Sequence, residues 1–209
     1  MSAAVLVFAL ALASTVQAQG STASSAADPP LILILGDSLS AEYGLKRGSG
    51  WVALLEDRLR KEGRRERIHN ASISGETTAG GRTRLPALLA NYRPRIVVIE
   101  LGGNDALRGL PLAGTETNLR EMIRVSRAAG ARVLVLGMQM PPNYGAAYAN
   151  AFEALFERTA RSEQASLVPM FLDGFADRMD LFQSDRIHPN EKAQPLMLNT
   201  VWPSLRRML

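Results

Sequence analysis

Residues 31–40 read LILILGDSLS, five consecutive apolar side chains running directly into Gly36, Asp37, Ser38, Leu39 and Ser40. A short apolar run bounded by Pro29-Pro30 on one side and a Gly-Asp-Ser turn on the other is the pattern of a strand buried on both faces of a parallel sheet. Two further runs of the same kind follow, Ile96 to Leu101 (IVVIEL) and Arg132 to Gly137 (RVLVLG), with weaker candidates at Arg67 to His69 and Leu167 to Pro169. Between the runs, apolar residues recur at helical spacing: Trp51, Leu54, Leu55 and Leu59; Leu119, Met122, Ile123 and Ser126; Tyr148, Phe152, Leu155 and Phe156. These stripes read as core packing. Strands alternating with helices predict an α/β fold, a single-domain three-layer sandwich around a central parallel sheet.

The bulk composition agrees with one globular domain: 209 residues, 46% hydrophobic and 21% charged. Lys plus Arg exceeds Asp plus Glu by 24 − 20 = +4, and the arginines are scattered among acids, so no nucleic-acid partner is expected. The chain has no Cys, which excludes a thiol nucleophile, thiolate-bound zinc, iron–sulfur clusters and disulfides. With no pair of His at metal spacing, neither a metal nor another cofactor is expected. Any catalysis must use oxygen and nitrogen groups.

The first charged side chain is Asp28, and the apolar run from Ala3 to Ala13 ahead of it is too short to span a bilayer. Val16 and Ala18 fit a signal-peptidase site, so the pattern predicts an export signal over 1–18, a small polar linker over 19–30 and the folded domain over 31–209. The segment before the apolar run carries no Lys or Arg, which departs from that pattern and leaves an uncleaved or misassigned start open. The expectation is a periplasmic or secreted monomer without stable membrane insertion.

In an open parallel sheet, functional groups collect in the loops that follow the carboxyl ends of the strands. Here those loops are GDSLS at 36–40, NASISGETT at 70–78 and GGND at 102–105, joined near the C-terminus by DRIHPN at 185–190. The four blocks, in this order, resemble the SGNH, or GDSL, hydrolase family over essentially the whole domain. RLPALL at 84–89, LRG at 107–109 and PPNYG at 141–145 are similar to its bacterial periplasmic branch of thioesterases, lysophospholipases and arylesterases. The resemblance implies a flavodoxin-like strand order and cofactor-independent hydrolysis of acyl esters and thioesters.

The chemistry also follows from the residues. A serine hydroxyl needs an adjacent base, and the base needs an acceptor on its other ring nitrogen. Ser38 and His188 are the available pair, and Asp185, three residues before His188, can curl back to Nδ1 and leave Nε2 to take the serine proton. The family resemblance implies the oxyanion donors: the backbone N–H groups of Ser38 and Gly75 and the side-chain amide of Asn104.

Neighbouring residues have plainer readings. Asp37 can cap the turn that follows it, Asp105 reads as structural, and His69 as a packing histidine. Asn70-Ala71-Ser72 fits a glycosylation sequon by accident of lying inside a family block. Gly75 and Gly80 have P-loop spacing, but Gly81 and Arg82 stand where Lys and Ser or Thr are required. There is no G-x-S-x-G elbow. Leu107, Leu110, Met140, Pro141 and Tyr144 flank the third and fourth strand ends and are read as an acyl-binding wall, with a phenolic acid as the other reading of Tyr144. The expected partner is a small-molecule acyl ester, thioester or lysophospholipid. A carbohydrate O-acetyl esterase of the same fold and a non-catalytic ligand-binding module are the alternatives.

Overall fold

The computed structural model describes Met1, residues 28–140 and residues 144–209. The expected export signal and linker, apart from Met1 and residues 28–30, lie outside the described residues.

Five strands form the centre: β1 (Leu31–Gly36), β2 (Arg67–Asn70), β3 (Ile96–Glu100), β4 (Arg132–Leu136) and β5 (Ser166–Val168). All pair in parallel, in the order β2-β1-β3-β4-β5. Each of the five expected strands is present, the weak candidates becoming the partly exposed edge strands β2 and β5. Among the described residues the α-helices are α1 (Trp51–Lys61), α2 (Thr78–Tyr92), α3 (Gly103–Leu107), α4 (Leu112–Ala128), α5 (Ala146–Ser162) and α6 (Gln194–Arg206). None of the described helices is long and apolar enough to cross a membrane.

The continuous apolar runs are explained by two-sided burial. Ile32, Ile34, Ile96, Val98, Leu134 and Leu136 pack on one face against Trp51 and Leu55 of α1 and Val201 and Trp202 of α6. Leu33, Leu35, Val97, Ile99, Val133 and Val135 pack on the other against Leu85 of α2, Met122 of α4 and Phe152 and Phe156 of α5. Strand periodicity sends alternate residues of each run to opposite layers, so every position must be apolar.

Helix α2 carries its apolar residues, Leu85, Leu88 and Leu89, only in its second half. Its first half contains Gly80 and Gly81 and its interior Pro86, all helix-weakening. Packing supplies the reason for Gly81: a Cβ there would lie 2.4 Å from Leu101 Cδ1, so only glycine lets α2 approach the end of β3. The N-terminus is closed by Thr77, whose hydroxyl accepts from Gly80 N at 3.4 Å.

The chain leaves β1 toward β2 on one side and returns to β3 on the other, so the carboxyl ends of β1 and β3 form the switch-point crevice of a 2-1-3-4-5 sheet. Gly36 and Glu100 are register partners at this end, and a Cβ at Gly36 would stand 2.7 Å from Glu100 Oε2.

Candidate active site

Ser38 opens the turn that leaves β1. Ser40 N and Ala41 N both donate to Asp37 O, at 3.2 and 3.0 Å, and Leu39 N donates to Asp37 Oδ1 at 3.1 Å. Asp37 thus caps this turn, as its neighbours in sequence allow. Beneath it, Asp37 N and Ser40 Oγ donate to Glu100 Oε2 at 3.2 and 2.8 Å, and Trp51 Nε1 donates to Ser40 Oγ at 3.2 Å. From the side, Asn70 Nδ2 donates to Ser40 O at 2.7 Å, so the apparent sequon nitrogen is engaged in holding the turn.

The imidazole comes from the loop before α6. Phe182 and Pro189 form an antiparallel bridge, and Gln183 N donates to His188 O at 2.7 Å, closing the loop on itself. Arg186 takes φ 59°, a left-handed turn that folds Asp185 back under His188. Asp185 Oδ1 then accepts from Ile187 N at 2.9 Å and His188 N at 3.0 Å, which leaves Oδ2 for His188 Nδ1 at 2.7 Å. His188 Nε2 lies 2.9 Å from Ser38 Oγ. With Nδ1 donating to the carboxylate, Nε2 is the accepting nitrogen. Burial pulls the Asp185 carboxyl upward, but the two amides and the imidazole outweigh it and hold it at about 2.

Three candidate oxyanion donors lie in the loops after β1, β2 and β3. Among the described residues, no backbone hydrogen bond engages the N–H of Ser38 or of Gly75. Both N–H groups are thus free to donate to a ligand. Gly75 has φ 79°, a left-handed conformation that glycine adopts freely. Asn104 lies in the first turn of α3, and its Nδ2 donates one hydrogen to Asp37 Oδ2 at 2.9 Å, leaving the second. Burial raises Asp37 to about 6, against the bonds from Leu39 and Asn104 that lower it. Fully buried Glu100 is pushed well above the ordinary carboxylate range by burial and by the neighbouring Asp37.

Sequence reasoning passed over several residues of the site. Tyr43 lays its ring against His188, centroids 4.5 Å apart at 41°, and Gln183 Nε2 holds Tyr43 O at 2.8 Å. Arg108 donates from NH2 to Gly75 O at 2.7 Å. Tyr43 lies outside every motif block, and Arg108 lies inside the LRG block without any role implied for it there. Asp105 is structural: Thr78 N donates to it at 2.8 Å and Thr115 Oγ1 at 3.3 Å, tying α2, α3 and α4 together. His69 stacks on Tyr92 at 3.8 Å, and burial lowers its pKa.

Of the expected acyl wall, Leu107, Leu110 and Tyr144 are exposed at 38%, 38% and 40%, whereas Met140 is 8% exposed and belongs to the core between β4 and α5. Pro141 lies outside the described residues. A cavity of about 570 Å³ at the opposite edge of the sheet, lined by Arg127, Arg132, Gln164 and Arg207, contains none of these groups.

A parallel sheet of this order carries at its switch point a carboxylate, an imidazole and a serine joined by hydrogen bonds, an arrangement found in serine hydrolases. The match can be stated more narrowly: the chain belongs to the GDSL-like Lipase/Acylhydrolase family, whose pattern it matches over residues 34–195, and it is an ester-hydrolysing enzyme. It is 52% identical over 178 residues to Esterase TesA of Pseudomonas aeruginosa, covering 85% of this chain and 89% of that one. To Thioesterase 1/protease 1/lysophospholipase L1 of Escherichia coli K12 it is 40% identical over 184 residues, covering 88% and 87%. The crystal structure of TesA superposes with a TM-score of 0.84 at 51% identity, covering 86% of this chain and 99% of that one.

Proposed function

We propose that the chain cleaves acyl esters and thioesters, aryl esters and lysophospholipids among them, by way of a serine acyl-enzyme. The observation that carries this reading is the unbroken line from Asp185 Oδ2 through His188 to Ser38 Oγ, with gaps of 2.7 and 2.9 Å. Ser38 Oγ attacks the carbonyl carbon while its proton passes to His188 Nε2, and the Asp185 carboxylate stabilises the imidazolium. The carbonyl oxygen becomes an oxyanion that the N–H groups of Ser38 and Gly75 and the free hydrogen of Asn104 Nδ2 receive. Collapse expels the alcohol or thiol, which takes the proton from Nε2. Water then attacks the acyl-serine with His188 again as base, releasing the acid and restoring Ser38.

The substrate class is supported by the exposed apolar side chains Leu107, Leu110 and Tyr144, which favour an acyl chain over a sugar. The names of the relatives, an esterase and a thioesterase/lysophospholipase, point the same way. Residues 1–18 are proposed to export the enzyme to the periplasm or beyond, where residues 31–209 act as a monomer.

A fluorophosphonate probe tests the nucleophile. Peptide mass mapping is expected to find the label on Ser38 alone, and Ser38→Ala is expected to lose a factor on the order of 10⁴ to 10⁶ in turnover. A tenth of the activity surviving in Ser38→Ala would remove the assignment.

A further inference from the structure

An oxyanion donor placed on a glycine is a donor on a soft hinge. Gly75 has no side chain to pack, and apart from its chain neighbours the one heavy atom within 4 Å of where its Cβ would stand is Arg108 NH2, at 3.5 Å. The loop around it is anchored at Ile73, whose N donates to Gly36 O at 3.0 Å, and at Glu76, whose N donates to Ile73 O at 3.1 Å. Gly75 itself is gripped through its carbonyl, by the 2.7 Å bond from Arg108.

Arg108 is attached to the other side-chain half of the same site. It caps the C-terminus of α3, and its backbone N donates to Asn104 O at 3.2 Å, one helical turn away. A single five-residue helix therefore carries the Asn104 amide directly and reaches across to the loop that carries the Gly75 amide. Among the described residues no carboxylate pairs with Arg108. Its guanidinium is thus not drawn aside by an acid, and a charged donor makes the bond to the carbonyl a strong one.

We propose that Arg108 is a positioning residue that braces Gly75 against Asn104 and so fixes the spacing of two oxyanion donors. The proposal rests on the reading of Gly75 and Asn104 as those donors. A brace of this kind acts when charge has developed on the substrate oxygen, because a donor that drifts loses its bond to the oxyanion more than its contact with the ground-state carbonyl. Lysine at 108 keeps the charge but not the planar fork, so it restores the bond only in part.

The experiment compares Arg108→Met, Arg108→Lys and Asn104→Ala on p-nitrophenyl butyrate, with melting temperatures as a check on folding. Arg108→Met is expected to lower kcat by about 10- to 100-fold with KM within about twofold, since it loosens one donor without deleting it. Its affinity for a trifluoromethyl ketone, which binds serine as an oxyanion, is expected to fall by the same factor. Arg108→Lys is expected to lie between Met and the parent and carries the test should the Met variant fail to fold. Unchanged kcat in Arg108→Met alongside a large loss in Asn104→Ala would overturn the brace and leave the oxyanion reading standing. Unchanged kcat in both would overturn that reading as well. A rise in KM confined to phosphate-bearing lysophospholipids, with kcat unchanged, would make Arg108 an anion-binding group and also overturn the proposal.

Discussion

Asn104 Nδ2 donates to Asp37 Oδ2 across 2.9 Å, linking the loop after β3 to the residue immediately before Ser38. A carboxylate only accepts, so Asp37 can be satisfied by the NH₂ of Asn104 and not by its carbonyl. That fixes which way the carboxamide faces and keeps its second N–H, rather than its oxygen, for the substrate. Asn104→Ala is expected to lower kcat by about 10² to 10³ with KM little changed. Asp37→Ala, which frees the amide to flip, is expected to give a smaller loss of the same kind. Steady-state kinetics on one ester check both, and a loss confined to KM would mean ground-state binding instead.

The same Asp37 should make the fold less stable as its carboxylate forms. Burial raises its pKa from 3.8 to about 6 in the folded chain, so between those values the folded state binds more protons than the unfolded one. Stability is then expected to fall as pH rises through that window. Asp37→Asn is expected to stabilise the protein at pH 8 by on the order of 1–3 kcal/mol, to do little at pH 4, and to cost turnover. Calorimetry at both values decides it; an equal shift in Tm at pH 4 and pH 8 would point to packing rather than charge.

Asp185 behaves oppositely. Held at about 2 in the folded chain, it contributes stability above its ordinary 3.8 that is lost only as pH falls through 2, and it stays ionised wherever the enzyme works. Asp185 is therefore expected to add no step to the fall in kcat/KM on acidification, whereas Asp37, which titrates at about 6 and orients Asn104, is expected to contribute one. Asp185→Asn is expected to lower kcat by about 10⁴ through the wrong tautomer. A kcat/KM profile flat from pH 8 down to pH 5 would contradict this.

Leu107 and Leu110, three and six positions after Asn104, are each 38% exposed, which fits a surface that an acyl chain covers. Across acyl esters from C2 to C16, each methylene is expected to improve kcat/KM by up to about 0.8 kcal/mol until the surface is filled. Leu110→Asp is expected to flatten that rise while leaving acetyl esters nearly unchanged. Preference for acetylated sugars in the same assay would replace the lipid reading.

The layers of the molecule were readable because β1, β3 and β4 are buried on both faces and so carry uninterrupted apolar runs. The first half of helix α2 was not, because there it packs through the smallness of Gly81 against Leu101, and its apolar residues begin only at Leu85. At the site, Ser38, Asp185 and His188 could be found from GDSLS and DRIHPN, since their spacing encodes a local turn and a shared chemistry. Arg108, Tyr43 and the support from Glu100 could not, because each acts through a contact between segments far apart in sequence. Met140 shows the converse: a methionine shortly after a strand end looks like pocket lining in sequence and is 8% exposed within the apolar cluster on one face of the sheet.

Asp185 and His188 share one loop closed by the Phe182–Pro189 bridge, so two thirds of the proton relay travel as a single piece. What remains is one gap, from His188 Nε2 to Ser38 Oγ, between residues 150 positions apart. That gap stays short only while the last quarter of the chain remains latched to the first, through Gln194 on Trp51 N at 3.0 Å and Gln183 on Tyr43 O at 2.8 Å. The sheet does not run through this latch. Because Val201 and Trp202 of α6 also pack onto the sheet beside α1, loosening that contact should disarm the enzyme and open the core together, and shelf life would be lengthened by fastening α6 to α1.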